Sequence, residues 1–195
     1  MAVPAPAKRD VPGLYTVAQY TDLVRQGVLG PDDHVELLEG VIVAMSPKNP
    51  WHDTAVNCVA DALRRAVEGR AAVRCQSSLV LPASVLDPDV AVVPGTQVDY
   101  AAAHPDTALL VVECADWSLP QDRLSKARIY ARAGIVEYWI VSRRDDAVEV
   151  FRSPTPDTAS YGTRFLARRG QRLTLVAFAD TTVDVAELLP PVAAC

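Results

Sequence analysis

Two acidic residues occupy positions where the surrounding sequence is otherwise apolar. Asp89 opens the run DVAVV, and Glu113 lies near the end of the run ALLVVEC. Such runs predict β-strands, in which alternate side chains share a face, so each carboxylate has apolar neighbours. An unpaired carboxylate costs several kcal/mol to bury. Two such acids on neighbouring strands are therefore explained by one shared hard cation, Mg²⁺ or Mn²⁺.

A second interpretation requires no metal. Each carboxylate can instead lie at the end of its strand, where a helix terminus or an arginine supplies its hydrogen bonds. A zinc site or a disulfide framework is not expected. The three histidines are far apart in the sequence, and the four cysteines include no CxxC pair and no regular spacing.

Local patterns predict the elements that must position these acids. Apolar residues at helical spacing predict helices over residues 16–26, 51–69 and 121–134. Runs rich in β-branched residues predict two hairpins, one turning at Glu39-Gly40 and one around residues 144–146. The predicted strands span residues 35–38, 41–46, 73–82, 86–94, 107–115, 137–142 and 147–153, with two more strands and a short helix within 160–189. These elements predict one mixed α/β domain with a central sheet.

Size and composition also fit one globular domain. Of the 195 residues, 50% are hydrophobic and 22% charged, which excludes disordered, collagen-like and coiled-coil classes. We expect a loose arm rich in Pro and Ala over residues 1–13 and a single domain over residues 14–190. The sequence contains no apolar run long enough for a membrane span and no signal-peptide pattern, so we expect a cytoplasmic protein without membrane contact.

Longer motifs resemble a known family. Pro88-Asp89 followed by Glu113 at the end of an apolar strand resembles the PD-(D/E)XK nuclease superfamily. More narrowly, the chain resembles the bacterial restriction endonuclease domain branch from Tyr15 to Arg152, through VELLEG, PDVAVV and VVECADWSLPQDRLSKARIYARAGIVEYWIV. The branch's usual offsets fall on Glu113, Asp116, Ser118, Leu119, Asp122 and Lys126. The resemblance implies a restriction-endonuclease-like α+β fold, a central mixed β-sheet flanked by helices.

The same resemblance implies roles for individual residues. Asp89 and Glu113 would be catalytic ligands of Mg²⁺ or Mn²⁺, and Glu36 would lie near the metal, directly or through water. The superfamily usually has a lysine two residues after the glutamate, but here Ala115 occupies that position. In this branch a lysine of the following helix is thought to replace it, which implies that Lys126 is the catalytic lysine.

Lys126 has an ordinary interpretation as well. Asp122 lies one helical turn earlier, and the two side chains could form a surface ion pair worth a few tenths of a kcal/mol. We favour the catalytic interpretation, because the small Ala115 leaves room for the ammonium beside a metal. Asp122 and His52 are secondary site candidates. His52 begins a helix on its inward-facing stripe, where it either contacts a phosphate or water or serves as a capping or core residue.

Charge is unevenly distributed along the chain. The 19 Lys and Arg against 24 Asp and Glu give a net charge of −5, which weighs against a protein that coats nucleic acid by charge alone. Residues 121–144, however, carry six cations and two anions, a local charge of +4. This segment is either a solvated helix face or a surface that contacts the DNA backbone.

Together these features predict a Mg²⁺-dependent endodeoxyribonuclease that hydrolyses phosphodiester bonds in DNA. We also expect a homodimer, because nucleases that make double-strand breaks commonly present two sites. The alternative is a nuclease-like module that no longer cuts and instead binds DNA or another protein, since fold similarity does not guarantee activity. A third possibility is a metal-dependent hydrolase that acts on RNA or a small phosphoester.

Overall fold

The computed structural model describes residues 14–30, 32–45, 47–116 and 120–191, and only the backbone of residues 120–123. The helices are α1 (Val17–Arg25), α2 (Pro50–Ala66), α3 (Pro120–Arg132) and α4 (Val185–Leu188). The strands are β1 (Val35–Leu38), β2 (Val41–Ala44), β3 (Ala72–Cys75), β4 (Leu79–Leu81), β5 (Ser84–Leu86), β6 (Val90–Val93), β7 (Leu110–Ala115), β8 (Glu137–Ser142), β9 (Ala147–Thr155), β10 (Ser160–Arg168), β11 (Arg172–Leu175) and β12 (Phe178–Asp184). No helix within these ranges is both long and apolar enough to cross a membrane.

The largest sheet contains six strands in the order β10-β9-β8-β7-β6-β3. β7 and β8 are parallel, whereas the other neighbouring pairs are antiparallel, so the sheet is mixed. α3 forms the crossover that a parallel pair requires. β6 and β8 are buried along their whole length, which explains their nearly continuous apolar sequences. The predicted central mixed sheet is confirmed.

Helices cover both faces of this sheet. On one face α2 packs its apolar stripe, including Val59 and Leu63, into a core cluster with Val112 of β7. On the other face α3 contributes Tyr130 to a second cluster with Tyr138 of β8. Because α2 and α3 lie on opposite faces, side chains from both can reach the end of the strands between them.

A smaller sheet of four strands, in the order β2-β1-β5-β4, lies beside the main one. The predicted hairpin of β1 and β2 is confirmed, and it turns through Glu39 and Gly40, both with positive φ. Glycine is required at position 40 for two reasons. Its φ is +86°, and a Cβ there would lie 2.7 Å from the Leu14 Cβ. The close fit holds the segment before α1 against this turn.

Two predicted strand regions are wrong. Residues 73–82 were predicted as one strand, but the structure divides them into β3 and β4, which belong to different sheets. The division falls at Gln76, whose φ is +45° and whose N–H donates to the carbonyls of Pro88 and Asp89. β5, which pairs with β4, was not predicted, and the C-terminal region contains three strands, β10 to β12, instead of two.

Candidate active site

The two acids singled out in the sequence lie on adjacent strands. Asp89 immediately precedes β6, and Glu113 lies within β7. These strands are antiparallel with Val90 opposite Val112, and the same register continued by one residue places Asp89 opposite Glu113. The backbone N–H of Cys114 donates to Asp89 Oδ2 at 2.8 Å. The backbone of β7 therefore holds the Asp89 carboxylate next to Glu113.

His52 reaches the same carboxylate from the N-terminal end of α2. Its Nε2 lies 3.0 Å from Asp89 Oδ1 and 3.1 Å from Asp89 Oδ2. The hydrogen bond to Asp89 raises the pKa of His52 and outweighs burial, which acts in the opposite direction. An imidazole that donates to Asp89 fixes the orientation of that carboxylate. His52 thus contacts a predicted site residue and does not merely fill the core.

Lys126 points into the cluster of acids from α3. Its Nζ lies 2.9 Å from Glu113 Oε1 and 3.2 Å from Glu36 Oε1. Only 21% of the Lys126 side chain is exposed, against 14% for Glu113 and 5% for Glu36. The ammonium is therefore held among these carboxylates and does not extend into bulk solvent.

Glu36 joins the small sheet to this site. It lies on β1, and its Oε1 accepts the backbone N–H of Asp87 at 2.9 Å as well as the Lys126 ammonium. Asp87 is two residues before Asp89, so the Glu36 carboxylate holds the segment that contains Asp89. Glu36 shares the Lys126 ammonium with Glu113, and its observed partners are a backbone amide and that ammonium.

The electrostatics of the cluster reflect three carboxylates around one lysine. Burial, together with the negative charges of Asp89 and Glu36, raises the pKa of Glu113, and Lys126 only partly compensates. Burial alone would lower the pKa of Lys126, but the carboxylates of Glu113 and Glu36 raise it above its ordinary value. The lysine is therefore charged at neutral pH, whereas Glu113 ionises less readily than an ordinary glutamate.

Tyr130 is a site residue that the sequence analysis missed. It lies on α3 one turn after Lys126, and its hydroxyl donates to Glu113 Oε1 at 2.8 Å. Its ring is fully buried in the core, so its position at helical spacing indicated only packing. The spacing of four residues from Lys126 was the available signal, because residues so separated lie on one helix face.

Asn49, which the sequence analysis also missed, lies at the start of α2. The side chain of Asn49 caps this helix by accepting the backbone N–H of His52 at 3.0 Å. Its amide nitrogen donates to Asp116 Oδ2 at 2.7 Å, and Arg143 also binds Asp116. These contacts connect α2 to the ends of β7 and β8. They consequently hold the helix turn from which His52 reaches Asp89.

Replacing Asn49 by alanine tests the structural importance of this connection. We expect the free energy of unfolding to fall by about 1–2 kcal/mol, because the variant loses the cap of α2 and leaves Asp116 with one fewer donor. Urea denaturation monitored by circular dichroism provides the measurement. Asn57→Ala is the matched control, since Asn57 is exposed in the same helix and bonds only to the Asp53 carbonyl among the described contacts. Equal losses in the two variants would contradict this assignment.

The cationic side chains of residues 121–144 are less available to bind a partner than the net charge of this segment suggested. Arg128 and Arg132 of α3 both pair with Glu39, and Arg143 pairs with Asp116. These arginines are therefore partly neutralised by acids from distant parts of the sequence. The side chain of Asp122, together with Ser118 and Leu119, lies outside the described residues.

The chemistry of the donors fits a hard divalent cation. The carboxylates of Asp89 and Glu113, with Glu36 nearby, offer the oxygen ligands that such a cation prefers, and these acids outnumber the single lysine. Within the described residues, no three His, Cys, Asp or Glu side chains are already arranged to hold a metal. The fit to a cation therefore depends on the carboxylates of Asp89 and Glu113. Backbone carbonyl or water oxygens would complete the coordination.

Comparison with solved structures defines the class of this fold. The crystal structure of "a putative nuclease belonging to DUF820 from Anabaena variabilis ATCC 29413" is similar, with a TM-score of 0.69 over 89% of this chain and 96% of that one. The sequence identity is 13%, so the likeness concerns the fold. The chain has a mixed α+β fold with a central mixed sheet flanked by helices, as the sequence predicted, and it shares this fold with that protein.

The family follows from the sequence itself. The family model Uma2, described as "Putative restriction endonuclease", matches residues 17–186. The chain therefore belongs to the Uma2 family. No curated protein matches it significantly. The resemblance inferred from VELLEG, PDVAVV and the segment after Glu113 is confirmed.

Proposed function

We propose that this protein is a metal-dependent endonuclease that hydrolyses phosphodiester bonds in DNA, with Mg²⁺ or Mn²⁺ as its cofactor. The observation that carries the proposal is the approach of the Lys126 ammonium to Glu113, 2.9 Å from Oε1, on the strand next to Asp89. Two acids on adjacent strands with a lysine beside them form the arrangement that the family resemblance implies. Membership in Uma2 supports the same reaction class.

In this proposal each charged group has a distinct task. Asp89 and Glu113 hold the cation, and His52 and the Cys114 N–H keep Asp89 oriented. When bound, the metal supplies a water of lowered pKa and neutralises charge on the phosphate. Lys126 stabilises the negative charge that develops on the phosphate in the transition state.

The proposed substrate is DNA, and the proposed place of action is the cytoplasm. The arginines of α3 lie on the same helix as Lys126, and in this proposal they contact the DNA backbone. Because Arg128 and Arg132 are already paired with Glu39, DNA binding would have to compete with those pairs. Because contacts between arginine and phosphate release counterions from DNA, we expect binding to weaken as salt concentration rises.

A plasmid nicking assay tests the proposed function. The purified protein should convert supercoiled plasmid into nicked or linear DNA in Mg²⁺ or Mn²⁺, and an excess of EDTA should abolish the conversion. Plasmid gel electrophoresis separates the three forms directly. Conversion that continues in EDTA would refute metal dependence. Absence of cleavage on plasmid, single-stranded DNA and RNA would favour the non-cutting binding module instead.

A further inference from the structure

The hydroxyl group of Tyr130 has no task in the proposed function as described above. The side chain is fully buried, and a phenylalanine would pack the same ring into the same core. A buried hydroxyl is costly unless a hydrogen bond satisfies it, and Glu113 Oε1 supplies that bond at 2.8 Å. The hydroxyl therefore makes the hydrogen bond to Glu113, whereas the ring packs in the core.

Tyr130 and Lys126 both donate a hydrogen bond to the same atom of Glu113, Oε1. Their donors lie 2.8 Å and 2.9 Å from Oε1, and the two residues are one turn apart on α3. A helix keeps such a pair at a fixed separation, so the two donors restrict rotation of the carboxylate. Lys126 alone would leave this rotation less restricted, because a lysine side chain is long and flexible.

The ring of Tyr130 is itself held by the sheet. It packs on Tyr138 of β8 at a centroid distance of 5.0 Å, and Tyr138 stacks on Phe151 of β9 at 5.3 Å. Tyr161 of β10 completes this aromatic group at 5.8 Å from Phe151. Three strands thus determine where the Tyr130 hydroxyl lies, and the position of Glu113 Oε1 follows from it.

We propose that Tyr130 is a positioning residue that orients the Glu113 carboxylate for the divalent cation. The inference rests on the proposed function, in which Glu113 is a metal ligand. Because Tyr130 and Lys126 both donate to Oε1, they would hold the Glu113 carboxylate in one orientation toward the cation. Tyr130 acts through Glu113 and needs no contact with DNA or with the reacting phosphate.

Mn²⁺ binding to Tyr130→Phe, measured by isothermal titration calorimetry without DNA, tests this proposal. Removing a partner that orients a metal ligand typically weakens affinity by about 10–100-fold, and we expect the Kd for Mn²⁺ to rise by that factor. Tyr161→Phe is the matched control. It also removes a partly buried hydroxyl from the aromatic group, but that hydroxyl binds the Ile135 carbonyl and not Glu113. The control should bind Mn²⁺ with the affinity of the wild type.

The outcomes separate this inference from the proposed function. Wild-type protein that binds Mn²⁺, with an unchanged Kd in Tyr130→Phe, would overturn the role of Tyr130 and leave the nuclease proposal intact. Wild-type protein that binds no Mn²⁺ would overturn the proposed metal site and this inference with it. A similar increase of the Kd in both tyrosine variants would indicate a general packing effect and would also overturn the proposal.

A double variant provides a second test that does not depend on the stability of Tyr130→Phe alone. If Tyr130 acts through Glu113, Tyr130→Phe should add no further loss of Mn²⁺ affinity in a Glu113→Asp background, which keeps a carboxylate for the cation but withdraws it from the Tyr130 hydroxyl. Independent, additive losses would show that Tyr130 acts by another route. Thermal unfolding of each variant, followed by circular dichroism, establishes that the compared proteins are folded.

Discussion

Replacing Asp89 by asparagine is expected to lower the rate of metal-dependent DNA nicking by at least about 10³-fold. In the proposed site Asp89 supplies one of two strand carboxylates to the cation, and metal catalysis contributes several kcal/mol of transition-state stabilisation. Asparagine has nearly the same shape, and its carbonyl oxygen can still accept the Cys114 N–H that now binds Asp89 Oδ2. The fold should therefore survive, and the loss should appear in kcat/KM measured on plasmid.

The control for this variant is Asp61→Asn, which removes the same charge from an exposed position of α2. Asp61 is 63% exposed and pairs with Arg64 on the surface. Its nicking rate should equal that of the wild type, and both variants should show wild-type circular dichroism. Retention of more than about a tenth of the wild-type rate by Asp89→Asn would exclude Asp89 as a ligand on which the reaction depends.

Lys126→Met should reduce kcat by about 10²-fold or more while metal binding changes little. Methionine keeps much of the length of the side chain but removes the charge that, in our proposal, stabilises the phosphate in the transition state. The same change frees Glu113 and Glu36 from an ammonium at 2.9 Å and 3.2 Å, so affinity for a cation should not fall. Single-turnover cleavage with excess enzyme separates this loss from weaker DNA binding.

Arg128→Met is the matched control for Lys126→Met. It removes one positive charge from the same helix, but Arg128 points toward Glu39 and not toward Glu113. A general effect of helix charge on DNA affinity would affect both variants, and it would change KM more than kcat. Equal losses of kcat in the two variants would contradict a specific role for Lys126.

The site was predictable from sequence where a residue type conflicted with its surroundings. Asp89 and Glu113 stood out because carboxylates are costly in apolar strands, and the antiparallel register of β6 and β7 brings them together. Lys126 could not be assigned from periodicity alone, because an ion pair with Asp122 fits the same spacing. Its assignment depended on the family resemblance, and the contact with Glu113 agrees with it.

Other parts of the site depend on contacts between distant segments. Asn49 meets Asp116 across 67 positions of sequence, and no local pattern contains that information. Tyr130 was hidden for a different reason. Its ring satisfies the apolar pattern of the helix completely, so the pattern gives no indication that its hydroxyl reaches a carboxylate.

The fold shows the same limit in one particular region. Residues 73–82 are rich in β-forming residues on both sides of Gln76-Ser77-Ser78, yet the chain leaves the main sheet at Gln76 and enters the small one. The hydrogen bonds from the Gln76 N–H to Pro88 and Asp89 stabilise this departure. This break matters for the site, because its hydrogen bonds fix the backbone at Asp89, the first predicted metal ligand.

The central claim is that Asp89 and Glu113 share one divalent cation beside Lys126. Anomalous X-ray diffraction from crystals of the wild-type protein soaked in Mn²⁺ tests it most directly. We predict one strong anomalous peak within about 2.0–2.6 Å of a carboxylate oxygen of each acid, and no peak at that position in crystals of Asp89→Asn. A peak bound to neither acid, or no peak at all between β6 and β7 at saturating Mn²⁺, would contradict the account.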